Sequence, residues 1–254
     1  MTKTLPIQID KGNGAPLVLL HGLGTNHKSW EFVLEHIDYT KHRVITLDLL
    51  GFGDAPKPKN VKYTPRDHAE AVMATLDKLG IKKAVFAGHS MGCIVAIEIA
   101  ATWPDRVASL LLLGAPLYKA ARQRHWWHKL LPAEGLYFAL FDELKKHPVA
   151  VQAGGTLANN LAPLVKGMEI TDETWPAFRK SLEHAVMQFD TFRKATKLRV
   201  PTLFVNGLLD VFIIRRNIKE IRRANRRYVR VRRTLGSHEL TPHQGRLVAR
   251  IINK

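Results

Sequence analysis

Short apolar runs alternate with amphipathic segments along most of the chain. The runs have the length and composition of buried strands, and they are Leu17–His21, Arg43–Leu47, Ala84–Gly88, Ser109–Leu113, Thr202–Asn206 and Tyr228–Thr234. Segments between several of them repeat apolar residues at helical spacing, and they are His27–Ile37, Thr64–Leu79, Met91–Trp103, Ile213–Ala224 and Thr241–Ile252. This alternation predicts an α/β fold, a mostly parallel sheet with helices on both faces. We expect the opening run Leu5–Ile9 to add an antiparallel edge strand, with Gly12, Asn13 and Gly14 as its turn.

The alternation stops between about Leu117 and Thr196, where strand signals are weak. Two stretches there, HWWHKLLPAEGLYFALFDELKKH and ETWPAFRKSLEHAVMQF, are helical in period and rich in aromatic residues. We interpret residues 117–196 as a helical insertion, a cap over the carboxyl edge of the sheet, where open α/β sheets bind ligands. Residues 1–116 and 197–254 then form the core. Five aromatic residues are interpreted mainly as packing residues of the insertion, with some facing the cavity beneath it: Trp126, Trp127, Tyr137, Phe138 and Phe141.

The composition favours a single large folded unit. The chain has 254 residues, of which 46% are hydrophobic, enough for a sizeable core. Its one cysteine excludes an internal disulfide framework and a cysteine-rich metal site. The opening MTKTLPIQID lacks the apolar segment of a signal peptide, and no window reaches the roughly 18 apolar residues that span a bilayer. We therefore expect a cytoplasmic protein without a transmembrane segment.

Positive charge is concentrated in one segment. The formal net charge is +17, and Arg215–Arg233 holds ten basic residues against one acidic residue. Ile214, Ile218 and Ile221 recur at helical spacing, so the segment is predicted to be ordered. We interpret its charges as a solvated helix face and strand edge, and we do not expect nucleic-acid binding. Recruitment of an anionic surface, substrate or partner stays open.

A serine between two glycines marks a predicted strand-to-helix junction. The stretch Gly88-His89-Ser90-Met91-Gly92 fits the G-x-S-x-G nucleophile elbow, with a strand before it and a helix after it. Such a bend needs residues without side-chain bulk on both sides, and it holds the apical residue in a strained conformation with its side chain pointing outward. Ser90 is therefore a candidate nucleophile. The alternative is a turn serine that caps the following helix.

A carboxylate that could orient a base follows a later strand. Asp210 comes just after Thr202–Asn206, in a turn begun by Gly207. Its alternative role is the N-cap of the next helix. The other plausible position, after Ser109–Leu113, carries Gly114 and no carboxylate, which favours Asp210.

The candidate base comes last in the chain. His238 lies in a loop flanked by glycine and serine before the last helix, which completes the order Ser, Asp, His. A lone loop histidine is usually a surface residue, and His243 is a nearby rival. His243 falls inside the predicted helix after Pro242, so we favour His238.

Catalysis by an activated serine also needs two backbone N–H groups aimed at the developing oxyanion. One candidate is the amide of Met91, at the positive start of its helix. The other is Leu23 in the segment HGLG, where Gly22 and Gly24 let the backbone approach a substrate. The two remaining histidines near these loops, His21 and His89, are predicted to be structural.

Five landmarks occur in the order typical of one superfamily: HGLG, LDLLGFGDAPKP, GHSMG, GLLD and GSH. With them the chain resembles the α/β-hydrolase superfamily over nearly its whole length, with a helical cap inserted after the sixth strand. The resemblance implies Ser90 as nucleophile, His238 as base and Asp210 as orienting acid. It also implies Leu23 and Met91 as oxyanion donors.

The resemblance extends to residues without a chemical role. Asp48 and Gly51 lie in a turn that is interpreted as architectural, and Cys93 stands where many relatives carry glycine, so it is expected to be a small buried residue. Haloalkane dehalogenases and epoxide hydrolases in the superfamily use an aspartate nucleophile, and Ser90 argues against both activities.

The resulting expectation is a serine hydrolase that cleaves a small to medium carboxylic ester, lactone or thioester through an acyl-enzyme. Its partner is a small-molecule substrate with an apolar part, and it needs no metal or organic cofactor. The same triad supports cleavage of carbon–carbon bonds, perhydrolysis or acyl transfer, and a low-turnover ligand-binding protein is a further alternative. The sequence leaves the oligomeric state open.

Overall fold

The computed structural model describes residues 4–119, 168–187 and 191–254. Seven strands form one sheet, in the order β1-β3-β2-β4-β5-β6-β7. Their bounds are β1 Ile7–Lys11, β2 Ala15–Leu20, β3 His42–Leu47, β4 Ala84–His89, β5 Val107–Leu113, β6 Thr202–Gly207 and β7 Val229–Thr234. Only β1 runs antiparallel, against β3, and every other neighbouring pair is parallel. The predicted mostly parallel sheet with an antiparallel edge strand is confirmed, although that strand begins two residues later than expected.

Helices connect and cover the strands. Their bounds are α1 Glu31–Leu34, α2 Pro65–Lys78, α3 Met91–Thr102, α4 Trp175–Ser181, α5 Thr191–Ala195, α6 Arg215–Ala224 and α7 Pro242–Ile252. Helices α2 and α7 begin with capping boxes, in which Thr64 pairs with Asp67 and Thr241 with Gln244.

The predicted helix His27–Ile37 is shorter in the structure. A 3-10 turn, His27–Trp30, precedes α1, which ends at Leu34. Beyond α1 the amides of His36 and Ile37 bond three residues back rather than four, at 3.1 and 3.5 Å, and this tighter winding does not continue the α-helix.

Alternate strand residues enter two separate cores. In β2, Val18 and Leu20 pack with the side chains of α2 and α3, whereas Leu17 and Leu19 pack with Trp30 and with residues of α1 and α7. Successive side chains of a strand point to opposite faces, so a strand buried on both faces must be apolar throughout. Helix α3 lies in the first core with its residues 91–100 all buried. Helix α3 packs against β4, the strand that leads to Ser90.

The predicted insertion is described only in part. The first aromatic stretch, residues 125–147, lies outside the described residues, and the second forms α4 followed by a π-helical turn, Leu182–Met187. Five strands precede the insertion, so the expected position after the sixth strand is wrong by one. Five apolar runs precede residue 117 in the sequence, and each of them forms one strand, so residues 4–116 hold no sixth strand. The division into a core and a cap at residues 117–196 stays a prediction.

Candidate active site

The nucleophile elbow has the strained geometry that its sequence predicts. Ser90 lies between β4 and α3 with φ 52° and ψ −117°. Residues other than glycine rarely adopt a positive φ. The flanking glycines are needed for space. A Cβ on Gly88 would lie 2.5 Å from the backbone of Gly92, and one on Gly92 would lie 2.1 Å from the carbonyl oxygen of Leu20. Only glycine fits both positions.

The three predicted triad residues meet at the carboxyl edge of the sheet. Ser90 follows β4, Asp210 follows β6, and His238 follows β7. His238 Nε2 lies 3.0 Å from Ser90 Oγ, and His238 Nδ1 lies 2.8 Å from Asp210 Oδ2. The second carboxylate oxygen of Asp210 accepts the amide of Phe212 at 2.9 Å, and the carboxylate is buried. The side chains therefore form one continuous hydrogen-bond chain from carboxylate to hydroxyl. The rival His243 lies in α7, as expected.

Two residues that the sequence analysis did not single out as site residues form walls of this site. Gly114, directly after β5, has φ +61°, and a Cβ there would lie 3.1 Å from Asp210 Oδ2 and 3.2 Å from His238 Nδ1. The ring of Phe212 stands edge-on to the imidazole of His238, with centroids 4.7 Å apart. The sequence signal that could identify Gly114 is its position directly after a central strand, Val107–Leu113.

The loop of the predicted oxyanion donors lies against the elbow. A Cβ on Gly22 would lie 3.3 Å from the Cβ of Ser90, so the backbone beside Leu23 approaches the nucleophile closely. Met91 is the first residue of α3 and is fully buried. Within the described residues, neither the amide of Leu23 nor that of Met91 donates a backbone hydrogen bond.

His21 joins two loops in a single neutral form. Its Nδ1–H donates to the carbonyl of Gly22 at 2.8 Å, and its Nε2 accepts the amide of Leu49 at 2.8 Å. Burial lowers the pKa of His21 to about 4. The residue therefore stays uncharged near neutral pH and connects the loops after β2 and β3, in agreement with the structural role that the sequence predicts.

His89 is also buried and neutral. Burial is the main cause that lowers the pKa of His89 to about 4, and the nearby His238 lowers it further. Its Nε2–H donates to the backbone carbonyl of His238 at 2.8 Å. Its Nδ1 has no hydrogen-bond partner among the described residues.

The turn after β3 is built around a buried carboxylate. Asp48 accepts the backbone amides of His27 at 2.8 Å and Asp54 at 3.0 Å. Burial alone would raise the pKa of Asp48, but the hydrogen bonds from Asp54 and His27 outweigh it and the pKa is lowered. A Cβ on Gly53 would lie 2.3 Å from Asp48 Oδ2. The turn is thus architectural, as expected.

Cys93 is a small buried residue, also as expected. Its side chain is fully buried, and its sulfur lies 3.0 Å from the carbonyl of Gly88 and 3.2 Å from that of Leu113. Burial raises the pKa of the Cys93 thiol well above its usual range, which disfavours the reactive thiolate.

Two of the cavities in the described part of the chain lie at opposite ends of the strands. A cavity of about 30 Å³ lies beside His238 and Asp210 and is also lined by His89 and Gly114. A larger one of about 480 Å³ is lined by residues at the amino ends of the strands, such as His42 and Thr202, and by no triad residue. Within residues 4–119, 168–187 and 191–254, no group of three or more His, Cys, Asp or Glu side chains is placed to hold a metal ion.

Solved structures share this architecture. An esterase from Exiguobacterium antarcticum superposes with a TM-score of 0.76 at 18% identity, covering 98% of that chain and 99% of this one. The enol-lactonase from Burkholderia xenovorans LB400 superposes with a TM-score of 0.72 at 21% identity, covering 94% of that chain and 98% of this one. At these identities the likeness shows the fold alone.

Sequence comparison gives the family. A candidate non-heme haloperoxidase of Mycobacterium phage D29 is 43% identical over 114 residues, which are 45% of this chain and 39% of that protein. Across eight curated relatives the matched segments span between 20% and 39% of the relatives' own lengths. The family model described as alpha/beta hydrolase fold matches residues 15–234. The chain belongs to the α/β hydrolase fold family.

Proposed function

We propose that this protein is a serine hydrolase that cleaves small to medium carboxylic esters, or related lactones and thioesters, through an acyl-enzyme. The observation that carries the proposal is the hydrogen-bond chain in which His238 lies 3.0 Å from Ser90 Oγ and 2.8 Å from Asp210 Oδ2. This is the arrangement that a serine needs to become a nucleophile near neutral pH.

In the acylation step, Ser90 Oγ attacks the substrate carbonyl carbon while His238 Nε2 takes the hydroxyl proton. The carbonyl π electrons move to oxygen and give a tetrahedral oxyanion. When this intermediate collapses, the bond to the leaving oxygen or sulfur breaks and His238 returns the proton to it. Water then attacks the acyl-enzyme by the same route and releases the acid. Asp210 holds the imidazole in the required tautomer and stabilises the imidazolium.

The amides of Leu23 and Met91 are proposed to bind the oxyanion. The close approach of the Gly22 backbone to Ser90 and the place of Met91 at the start of α3 support this assignment. Hydrogen bonds from fixed amides to a developing oxyanion stabilise the transition state, and the loss of one such donor costs about 3 kcal/mol in other acyl-transfer enzymes.

An apolar substrate part is supported by what lies against the oxyanion loop. A Cβ on Gly24 would lie 3.0 Å from the ring of Phe178 and 3.3 Å from Met168 Sδ, so this part of residues 117–196 covers the loop with apolar side chains. We accordingly propose that residues 117–196 act as a cap over the site. The names of the esterase and the enol-lactonase fit the proposed chemistry, since both describe cleavage of a carboxylic ester bond.

The test is hydrolysis of a p-nitrophenyl ester series, from acetate to long acyl chains, by the wild type and Ser90→Ala. We expect turnover by the wild type and a loss of roughly a thousandfold or more in Ser90→Ala. Ser237→Ala is the matched control, because Ser237 is exposed beside His238 and lies outside the triad. A fluorophosphonate should label Ser90 only in the proteins that retain it. Absence of both turnover and labelling in the wild type would contradict the proposal.

A further inference from the structure

Exposed large apolar side chains cluster on the two loops that carry Asp210 and His238. The described residues hold five such side chains, and four of them lie here: Leu208, Leu209, Val211 and Leu235. Leu209 is 72% exposed and Leu235 is 78% exposed. We call these four residues the apolar tip. The fifth, Ile7, lies on β1 at the other edge of the sheet.

The two loops of the apolar tip form one surface. The amide of Leu208 donates to the carbonyl of Thr234 at 2.8 Å, and the amide of Leu209 donates to the carbonyl of Gly236 at 2.9 Å. Contact between leucine side chains and water is unfavourable, and several exposed leucines on adjoining loops are typical of an interaction surface.

A dense positive surface adjoins the apolar tip. All ten basic residues of Arg215–Arg233 are exposed, and none of them forms an ion pair within the described residues. The one acidic residue, Glu220, is bound by Lys119 at 3.0 Å. We call these ten side chains the basic face. It lies on α6 and β7, the strand at the end of the sheet.

The apolar tip and the basic face are contiguous. Arg215 donates to the backbone carbonyl of Leu208. Leu208 also lines a surface cavity of about 110 Å³ together with Arg215, Lys219, Arg222 and Arg233.

We propose that this surface docks the protein on an anionic lipid membrane. Apolar side chains that enter the acyl boundary, next to arginines at the level of the headgroups, are the combination that holds a peripheral protein on such a surface. A nucleic acid would use the arginines but would leave the exposed leucines in water. Among the helices of residues 4–119, 168–187 and 191–254, none has the length and apolar character of a bilayer-spanning segment. The docked orientation turns the loops of Asp210 and His238 toward the lipid.

The experiment is flotation of the full chain with large unilamellar vesicles at moderate salt. One set is phosphatidylcholine alone, and the other contains about one third phosphatidylglycerol. We expect binding to the anionic vesicles, weak binding to the neutral ones, and a decrease as salt is raised. Equal binding to both sets, or no binding to either, overturns the proposal.

Two variants separate the two parts of the surface. Leu209→Ser/Leu235→Ser should lower the partition coefficient by about tenfold or more, and Arg216→Gln/Lys219→Gln/Arg222→Gln/Arg223→Gln should lower it by about a hundredfold or more. Their matched controls are Ile7→Ser and Lys62→Gln/Lys78→Gln/Lys82→Gln/Lys83→Gln, which change exposed residues elsewhere and should bind as the wild type does. Circular dichroism and Tm establish that each variant is folded.

A loss in the arginine variant without a loss in the leucine variant also overturns the proposal, because it describes a general polyanion site. The proposal is likewise overturned if the protein binds duplex DNA more tightly than anionic vesicles and the leucine variant retains that DNA binding. Flotation measures no hydrolysis, so its outcome is independent of the proposed esterase activity.

Discussion

The residue before the candidate nucleophile holds the backbone of the candidate base. His89 Nε2–H donates to the carbonyl oxygen of His238 at 2.8 Å, and the two rings lie with centroids 5.1 Å apart. Because His89 belongs to the elbow and His238 to the loop after β7, this bond connects two loops whose side chains must stay within hydrogen-bonding distance.

We predict that His89→Phe lowers kcat by roughly tenfold, because a phenyl ring cannot donate the hydrogen bond that positions the His238 loop. KM should change little, since the proposed mechanism assigns His89 no contact with the substrate. His89→Gln retains a donor and should recover part of kcat. Steady-state kinetics and Tm of both variants check this. A fall in Tm with kcat unchanged would limit the role of His89 to stability.

We predict that Asp210→Asn lowers kcat by about a thousandfold or more, because the amide no longer favours the imidazole tautomer that accepts the proton of Ser90. The free energy of unfolding should change by much less than the roughly 4 kcal/mol to which a thousandfold fall in kcat corresponds. Labelling of Ser90 by a fluorophosphonate should slow in parallel with kcat. Asp54→Asn, an exposed carboxylate near β3, serves as the control and should label at the wild-type rate.

Two glycines with similar backbone angles separate strain from collision. Gly80 has φ +68° with open space around a Cβ, and Gly114 has φ +61° with triad atoms within 3.2 Å of a Cβ. We predict that Gly80→Ala costs about 1 kcal/mol of unfolding free energy and leaves activity unchanged. Gly114→Ala should carry a similar backbone cost and also lower kcat by roughly tenfold or more. Equal activities of the two variants would show that the loop after β5 moves aside freely.

Three buried histidines should make stability depend on pH. Burial lowers the pKa values of His21, His68 and His89 to about 4 from an ordinary value of 6.5. Below pH 6.5 the unfolded chain takes up protons that the folded protein does not bind. The free energy of unfolding should therefore be highest above about pH 6.5 and fall as the pH decreases toward 4, by up to about 3 kcal/mol for each histidine. Urea unfolding at a series of pH values measures this.

His68, which lies outside the candidate active site, can be used to test whether a buried neutral histidine causes this pH dependence of stability. Its Nε2 lies 3.2 Å from Ser181 Oγ, and its imidazole is fully buried between α2 and α4. His68→Gln should reduce the pH slope of the unfolding free energy by about 1.4 kcal/mol per pH unit, the value for one proton. Ser181→Ala removes the partner but keeps the imidazole, so its slope should match the wild type. An unchanged slope in His68→Gln would contradict the assignment.

Local sequence signals predicted the positions of Ser90, Asp210 and His238 because each follows a strand, and the carboxyl ends of parallel strands share one edge. The contacts of Gly114 and Phe212 with His238 were not predicted, since they depend on how three loops approach one another and no short motif records that distance. The helix predicted up to Ile37 is too long because the apolar spacing continues past Leu34, whereas the hydrogen bonds beyond Leu34 join residues three apart rather than four. Hydrophobic spacing alone does not show where the hydrogen-bond pattern changes.

The backbone at Ser90 has a consequence for how this protein can be made more robust. A side chain held at φ 52° stores about 1 to 2 kcal/mol that glycine would release. Ser90→Gly would therefore raise the free energy of unfolding and, in the proposed mechanism, remove the nucleophile. The elbow is thus a place where stability and the proposed reactivity oppose each other within a single residue, and stabilising substitutions should be sought elsewhere in the chain.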